Sequence, residues 1–208
     1  EEVKKRLIDK KASGEIKRIY PEEPESIVQE KIEQQMDVSE PLFTIGIKDK
    51  ISNEKDKVKK HIAIEIILNI LLGKSSRLYQ ALYNEGILFG TPGFDYEFAR
   101  GYAHVLITGQ SKKPEEVYEK FKEEVRKLKE NGIDENEFER IKKMIYGGYV
   151  KEYDEPGDIA RMFLADYFKG INSFEYLEEI STINKQYVEQ ILNEVFDEKR
   201  MVISVIKK

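Results

Sequence analysis

The sequence predicts an α+β fold, with a mostly antiparallel sheet and helices packed on one face of it. Strand-like and helix-like segments are clustered along the chain: two strands, a pair of helices, two strands, several helices and a closing strand. Such clustering is typical of α+β domains, whereas α/β domains alternate the two kinds of segment. The 208 residues, of which 40% are apolar, suffice for one large core.

The strands are predicted from alternating apolar residues. A half-buried strand is expected over residues 27–38, because Val28, Ile32, Met36 and Val38 share one parity. After a break at residues 39–41, the alternation resumes and predicts a second strand around residues 43–47. Two further strands are expected over residues 87–110, with an irregular turn at 99–101, and an apolar strand over 201–206.

The helices are predicted from their apolar periodicity and their end signals. Residues 57–72 are apolar on nearly every side and predict a buried helix that ends at Gly73. A short helix over 76–84 follows, and an amphipathic helix is expected before Asn131. The pair Asp134 and Glu137 indicates a capping box for a helix that runs to about Tyr153. Three more helices are expected over 156–169, 173–180 and 184–196.

Composition excludes several classes of function. The formal net charge is −5 with both signs mixed, which disfavours binding to nucleic acid or to an anionic membrane. The absence of cysteine excludes disulfides, iron–sulfur clusters, thiolate zinc sites and cysteine nucleophiles, and fits a cytoplasmic location. The chain opens with EEVKKRLIDKK and no initiator Met, so we expect it to be a fragment of a longer polypeptide.

No complete set of reactive residues is visible. His61 has Glu65 four residues later on the same helical face, but catalytic zinc needs three protein ligands. His104 has no ligand at suitable spacing, so we expect both histidines to be structural. Ser75 is interpreted as the N-cap of the helix over 76–84, with Ser76 as the alternative cap, since no nucleophile elbow surrounds the two serines. We therefore expect neither catalytic residues nor metal ligands in this chain.

The stretch GKSSRLYQALYNEG carries a family resemblance. It follows an apolar helix and contains the matching residues Gly73, Ser75, Ser76, Arg77, Leu78, Tyr79, Leu82 and Gly86. This pattern resembles the pitrilysin/insulinase-type zinc metallopeptidases, which include the mitochondrial processing peptidases. The segments ENEFERIKKMI, DEPGDIARMFLADYFKGI, ISTINKQYVEQILNEVF and MVISVI resemble that family in the same order, so the resemblance covers about residues 27–206.

The resemblance implies a place for this chain within a larger peptidase. Members of that family pair two homologous α+β domains of a LuxS-like two-layer fold, and zinc lies in the first, on a His-x-x-Glu-His motif. The Ser-Ser-Arg-Leu motif belongs to the second, non-catalytic domain. Residues 1–25 would then be a connector, and residues 26–208 the C-terminal, non-zinc domain of a bacterial zinc endopeptidase. Its implied partners are the N-terminal zinc domain and an unfolded peptide, with homo- or heterodimeric assembly left open.

The resemblance also directs attention to Tyr83 and Phe89. Many active relatives carry Arg and Tyr at the places where this chain has these two residues. Phe89 cannot donate a hydrogen bond to an oxyanion and Tyr83 has no fixed charge, so we expect them to contact substrate without catalysing the reaction. The whole protein could still be a non-catalytic partner subunit, or the chain an unrelated interaction domain. A His-x-x-Glu-His motif upstream would distinguish a zinc endopeptidase from a non-catalytic partner subunit. The chain alone is expected to be inactive, and Arg77 is expected to brace the Ser-Ser turn.

Overall fold

Five strands form one sheet in the part of the chain that the structure describes. The structure is a computed structural model, and it describes residues 19, 24, 26–50, 56–99 and 101–208. The strands are β1 (Lys31–Gln35), β2 (Leu42–Asp49), β3 (Gly93–Ala99), β4 (Tyr102–Gln110) and β5 (Met201–Lys207). Their order is β1-β5-β2-β4-β3. Only the β1–β5 pair is parallel, so the mostly antiparallel sheet predicted from the sequence is confirmed.

Seven helices accompany the sheet within the described ranges. They are α1 (Lys57–Leu72), α2 (Arg77–Asn84), α3 (Pro114–Asn131), α4 (Glu135–Glu152), α5 (Pro156–Lys169), α6 (Glu175–Thr182) and α7 (Lys185–Val195), and a short 3-10 turn follows at Glu198–Arg200. Asp134 caps α4 by accepting a hydrogen bond from the Glu137 backbone N–H at 2.9 Å, as the sequence predicted. None of these helices is long and apolar enough to cross a membrane.

The core lies between one face of the sheet and the helices. Phe43, Ile45 and Ile47 alternate along β2 and are almost fully buried, while the residues between them stay partly exposed. Helices α1, α3 and α7 cover the buried face. Helix α1 also packs against α2, α4, α6 and α7, which explains why its sequence is apolar on nearly every side.

A buried ionic cluster joins α1 to the sheet. The Lys60 Nζ atom lies 2.9 Å from Asp49 Oδ2 and 3.2 Å from Glu194 Oε1. The Tyr96 hydroxyl donates a 2.7 Å hydrogen bond to Asp49 Oδ2, and Arg200 Nη1 lies 4.0 Å from Asp49 Oδ1. The Asp49 and Lys60 side chains are 0% and 3% exposed. Because water does not stabilise these two charges, each one is stabilised by the other.

Three predictions about elements need correction or fall outside the described residues. The first strand is shorter than residues 27–38 and is exposed along its length, because β1 is an edge strand that pairs only with β5. The helix expected over 173–180 begins at Glu175 and ends at Thr182. The connector predicted over residues 1–25 lies outside the described residues, apart from Ile19 and Pro24.

Candidate functional site

The Ser-Ser-Arg-Leu turn connects α1 to α2 and is built from close backbone contacts. A Cβ atom at Gly73 would lie 2.4 Å from the Asn69 carbonyl oxygen, so only glycine fits there. Ser76 caps α2 by accepting a 3.1 Å hydrogen bond from the Tyr79 backbone N–H. Of the two serines predicted as possible N-caps, Ser76 is the cap and Ser75 is not.

Ser75 instead links the turn to a second helix. Its Oγ atom accepts a 3.0 Å hydrogen bond from Arg140 Nη1, and Arg140 lies on α4. Arg77 is exposed and has no ion-pair partner among residues 26–50, 56–99 and 101–208, so its predicted bracing of the turn is not observed. The turn is thus held by the cap on one side and by α4 on the other.

A groove runs between this turn, α4 and the start of β3. Its volume is about 470 Å³. The end of α1 and the turn form one wall, the segment that leads into β3 forms the second, and α4 forms the third; the lining residues are Asn69, Gly73, Lys74, Ser75, Thr91, Pro92, Phe94, Ile141 and Met144. The groove therefore meets the sheet at the start of β3, where Phe94 lines it.

Strand β3 forms one edge of the sheet. Strand β3 is last in the sheet order and pairs with β4 alone among the described strands. It is seven residues long. An unpaired strand edge presents backbone N–H and C=O groups to which an extended peptide can add.

A smaller pocket adjoins the groove and shares Phe94 with it. This pocket has a volume of about 160 Å³ and is lined by His61, Glu65, Leu68, Phe94, Asp95, Tyr96 and Tyr149. The two α1 residues His61 and Glu65 lie one helical turn apart, so both side chains face the same way. Strand β3 and helix α4 supply the opposite walls.

Hydrogen bonds hold the polar side chains of the pocket. The Tyr149 hydroxyl donates a 3.1 Å hydrogen bond to Glu65 Oε2. His61 Nδ1 lies 2.8 Å from the Tyr176 hydroxyl, and the two rings meet edge to face. Asp95 at the mouth is exposed and accepts a hydrogen bond from the Tyr96 backbone N–H.

The pocket changes the protonation of both α1 residues. Burial raises the pKa of the Glu65 carboxyl to about 7; the Tyr149 hydrogen bond opposes this rise, and the Glu152 and Asp95 carboxylates add to it. Burial lowers the pKa of His61 to about 4. Near neutral pH, His61 is therefore uncharged, and Glu65 exists both with and without its proton.

The residues of this pocket do not fit a zinc ion. Among residues 26–50, 56–99 and 101–208 no group of three or more His, Asp or Glu side chains is placed to hold a metal. His61 and Glu65 would supply two ligands, one fewer than catalytic zinc takes from protein. His104 lies on β4 and stacks on Tyr102 at 5.6 Å.

Tyr83 and Phe89 lie near the groove but outside its described lining. Tyr83 is 51% exposed and stacks on Tyr79 at 5.7 Å. Thr91 Oγ1, which lines the groove, lies 3.5 Å from the Tyr79 hydroxyl. The Phe89 backbone N–H donates to the Gln110 carbonyl at 3.1 Å. Their role in binding substrate stays a prediction.

Comparison with known proteins identifies the family of this chain. The family model of the Peptidase M16 inactive domain matches residues 2–145, more than half of the chain. The chain belongs to the M16 inactive-domain family. This result confirms the resemblance drawn from the sequence. The matched residues contain β3, the lining of the groove and every lining residue of the pocket except Tyr149.

Two of the relatives of this M16 inactive domain are about twice as long as the chain itself. The chain is 26% identical over 191 residues to YmfH of Bacillus subtilis, an uncharacterized zinc protease. This match covers 91% of the chain but 44% of YmfH. An M16-like peptidase from Alicyclobacillus acidocaldarius shares its fold with a TM-score of 0.85 and 22% identity, over 94% of this chain and 49% of that one. The inactive peptidase domain of a zinc protease from Bordetella parapertussis matches with a TM-score of 0.68 and 13% identity, over 84% of this chain and 94% of that one. The chain thus spans less than half of YmfH.

Two residues of the pocket were not anticipated from the sequence. Tyr149 lies 84 residues after Glu65, and Asp95 lies in a strand whose acidic residues look like ordinary surface charges. No local motif connects them, because the fold brings them together from three separate elements. The pair His61 and Glu65 was noticed for its helical spacing alone.

Proposed function

We propose that this chain is the C-terminal, non-zinc domain of a zinc-dependent endopeptidase and forms part of the wall of a chamber that holds an unfolded peptide. Its membership of the M16 inactive-domain family supports this role. So does its match to less than half of a relative that is named as a zinc protease. Zinc and the catalytic residues would lie in an N-terminal domain of the same polypeptide.

The single observation that carries the proposal is the free edge of β3 beside the groove. An extended peptide that adds to this edge would satisfy the outward N–H and C=O groups and place alternate side chains in the groove. Seven residues of strand span about 24 Å at ~3.4 Å per residue. Backbone pairing does not depend on the amino-acid sequence of the peptide. A chamber wall that accepts different unfolded peptides needs this kind of binding.

The acidic residues on the edge strand β3 have an alternative explanation, which is protection against self-association. Asp95 and Glu97 lie on β3, and charges on an edge strand discourage pairing with other copies of the chain. The same two carboxylates do not prevent a peptide of complementary charge from pairing. The edge strand is therefore protected against self-association while remaining open to a basic peptide.

A peptide titration of the 208-residue chain tests this proposal. The probes are an unmodified extended peptide of about the length of β3 and two copies that are N-methylated at alternate residues, one copy for each parity. Since only alternate residues of an added strand point their N–H groups at the partner, one methylated copy should bind at least about tenfold more weakly. Equal binding by both copies would show that the peptide does not add to the sheet.

Tyr83 and Phe89 are proposed to contact the peptide where it leaves the groove. In the longer polypeptide, Tyr83→Ala and Phe89→Ala should raise KM severalfold and leave kcat nearly unchanged, because they would remove binding without touching the reacting atoms. Tyr102→Ala is the matched control, as Tyr102 is a similarly exposed aromatic residue on β4. A loss confined to kcat would contradict this role.

The upstream sequence decides between the two forms of the proposal. A His-x-x-Glu-His motif there would make the polypeptide a zinc endopeptidase whose isolated C-terminal domain is inactive. A polypeptide of the same architecture without that motif would be a non-catalytic partner subunit that acts in a dimer with an active mate. We propose that the polypeptide is the zinc endopeptidase and that it acts in the cytoplasm. The intact mass and the sequence of the native polypeptide are the measurements that decide between the two forms.

A further inference from the structure

The small pocket beside β3 combines negative charge with aromatic walls. Glu65 faces it from α1, and Asp95 lies at its mouth on β3. The rings of Phe94, Tyr96 and Tyr149 complete the lining. Carboxylates and aromatic faces together are the surroundings that stabilise an organic cation taken out of water.

We propose that this pocket binds the side-chain ammonium group of a lysine in a peptide that lies along β3. The proposal rests on the peptide-binding role of the β3 edge and adds a preference to it. The pocket and the groove share Phe94, and Phe94 to Tyr96 are consecutive residues of β3. A side chain of an added strand would therefore reach the pocket directly from the strand.

The hydrogen bonding of Glu65 leaves room for a donor. Its Oε2 atom accepts from the Tyr149 hydroxyl, while Oε1 has no hydrogen-bond partner within the part of the chain that the structure describes. An ammonium group carries three N–H donors and no acceptor. It could donate to Glu65 Oε1 and to Asp95 while its remaining surface lies against the rings.

In the part of the chain that the structure describes, the nearby cations do not neutralise the pocket. Lys169 is the cation close enough to affect His61, but its Nζ atom lies 3.8 Å from Glu97 and 4.9 Å from the Phe98 ring centre. It is therefore engaged beside the pocket and not within it. His61 adds no positive charge near neutral pH, because burial lowers its pKa to about 4. No Lys or Arg is among the described residues that line the space between Glu65 and Asp95.

The size of the pocket favours lysine over arginine. Its volume of about 160 Å³ is close to the roughly 150 Å³ of engineered cavities that hold benzene, a ligand of six heavy atoms. A lysine side chain has one heavy atom fewer than benzene, whereas the planar arginine side chain is larger. A single charged nitrogen also suits one free carboxylate oxygen better than the two-pronged guanidinium does.

The test compares three peptides of one extended sequence on the full 208-residue chain. Two have blocked ends and carry either lysine or norleucine at the central position, and the third carries norleucine and a free N-terminal amine. We expect the lysine peptide to bind about tenfold more tightly than blocked norleucine, the size expected of a charge-assisted hydrogen bond in a partly desolvated site. Calorimetric titration gives each dissociation constant.

Two variants assign the effect to the pocket. Glu65→Gln should abolish the preference for lysine and leave the binding of the norleucine peptide unchanged. Glu178→Gln is the matched control, because Glu178 is exposed on the adjacent helix α6 and forms no ion pair with any residue that the structure describes. That variant should retain the full preference, which separates a contact in the pocket from a general loss of negative charge.

The outcomes distinguish this inference from the proposed function. Equal binding of the lysine and blocked norleucine peptides would overturn the lysine pocket and leave the peptide-binding wall intact. Tight binding of the free-amine peptide alone would also overturn it, since the cation recognised would then be a chain terminus. Failure of every peptide to bind would overturn both proposals, because the groove and the pocket lie in this chain.

Discussion

Replacement of Glu65 by glutamine should stabilise the protein by an amount that grows with pH. The difference in unfolding free energy between the variant and the unsubstituted chain should increase as the pH rises from about 4.5 to about 7. The carboxyl group of Glu65 is desolvated against α4 and β3, and its pKa is raised from 4.5 to about 7. In that pH window the folded protein keeps a proton that the unfolded chain has released. Stability of the unsubstituted protein therefore falls as the pH rises through the window.

The size of this effect follows from the pKa shift. At ~1.4 kcal/mol per pKa unit, the rise from 4.5 to about 7 corresponds to about 3 kcal/mol of unfolding free energy. Glutamine has the same shape and never ionises, so it is free of this penalty. The groups that face Glu65 and set the value are Tyr149 and Glu152 on α4 and Asp95 on β3.

His61 acts in the opposite direction. Burial lowers the pKa of His61 from 6.5 to about 4. Between pH 6.5 and about pH 4, the unfolded chain therefore binds a proton at this imidazole and the folded protein does not. This contribution to stability falls as the pH drops through that window, again by about 3 kcal/mol. The two slopes nearly cancel in the unsubstituted protein. Glu65→Gln should expose the His61 slope, and His61→Gln should expose the Glu65 slope.

Urea unfolding followed by circular dichroism, from below pH 4.5 to above pH 7, measures these slopes. Glu178→Gln again serves as the control and should follow the unsubstituted protein at every pH, since its carboxylate is exposed. A Glu65→Gln difference that does not change with pH would refute the reasoning, because it would mean that the carboxylate is well solvated. A difference of the opposite sign would mean that Glu65 is held as an anion by a protonated His61.

Three further substitutions test the packing around the site. Lys60→Met leaves the buried Asp49 carboxylate without its closest ionic partner and should lower the unfolding free energy by about 3–5 kcal/mol, with partial recovery on adding Asp49→Asn. Gly73→Ala places a Cβ atom 2.4 Å from a backbone carbonyl oxygen and should cost about 1–3 kcal/mol, measured by chemical denaturation. Ser76→Ala should cost about 1 kcal/mol through loss of the α2 cap, and an equal loss for Ser75→Ala would contradict that assignment.

The sequence predicts most of the fold because its strong signals are local. Alternating apolar residues mark β2 and the unbroken apolar run marks α1, and the structure places both within a few residues of the prediction. The strand predicted over residues 27–38 is longer and more buried than the observed β1. The reason is that alternation does not reveal whether a strand lies at a sheet edge. Ile32 on β1 is 54% exposed, and Met36, which directly follows β1, is 49% exposed.

The site is less predictable than the fold because its parts come from distant segments. The Ser-Ser-Arg-Leu turn is recognisable as a motif, yet the sequence leaves the cap open between Ser75 and Ser76, because both serines satisfy the same sequence preference. Only the backbone geometry shows that Ser76 has the extended conformation of a cap. The pocket could not be foreseen, since Tyr149 and Asp95 reach Glu65 through the packing of α4 and β3 on α1.

The unfavourable position of Glu65 connects the stability argument to the proposed role. A leucine or methionine at this place on α1 would extend the apolar core. Among the described residues, only the Tyr149 hydroxyl would lose its hydrogen bond to the Glu65 side chain. The carboxyl therefore lowers stability near neutral pH by an amount that is large against the 5–15 kcal/mol typical of whole domains. A bound ammonium would favour the ionised form and remove that penalty. Lysine peptides should then raise the unfolding free energy of the natural chain more above pH 7 than below pH 4.5, and they should lose this pH dependence in Glu65→Gln.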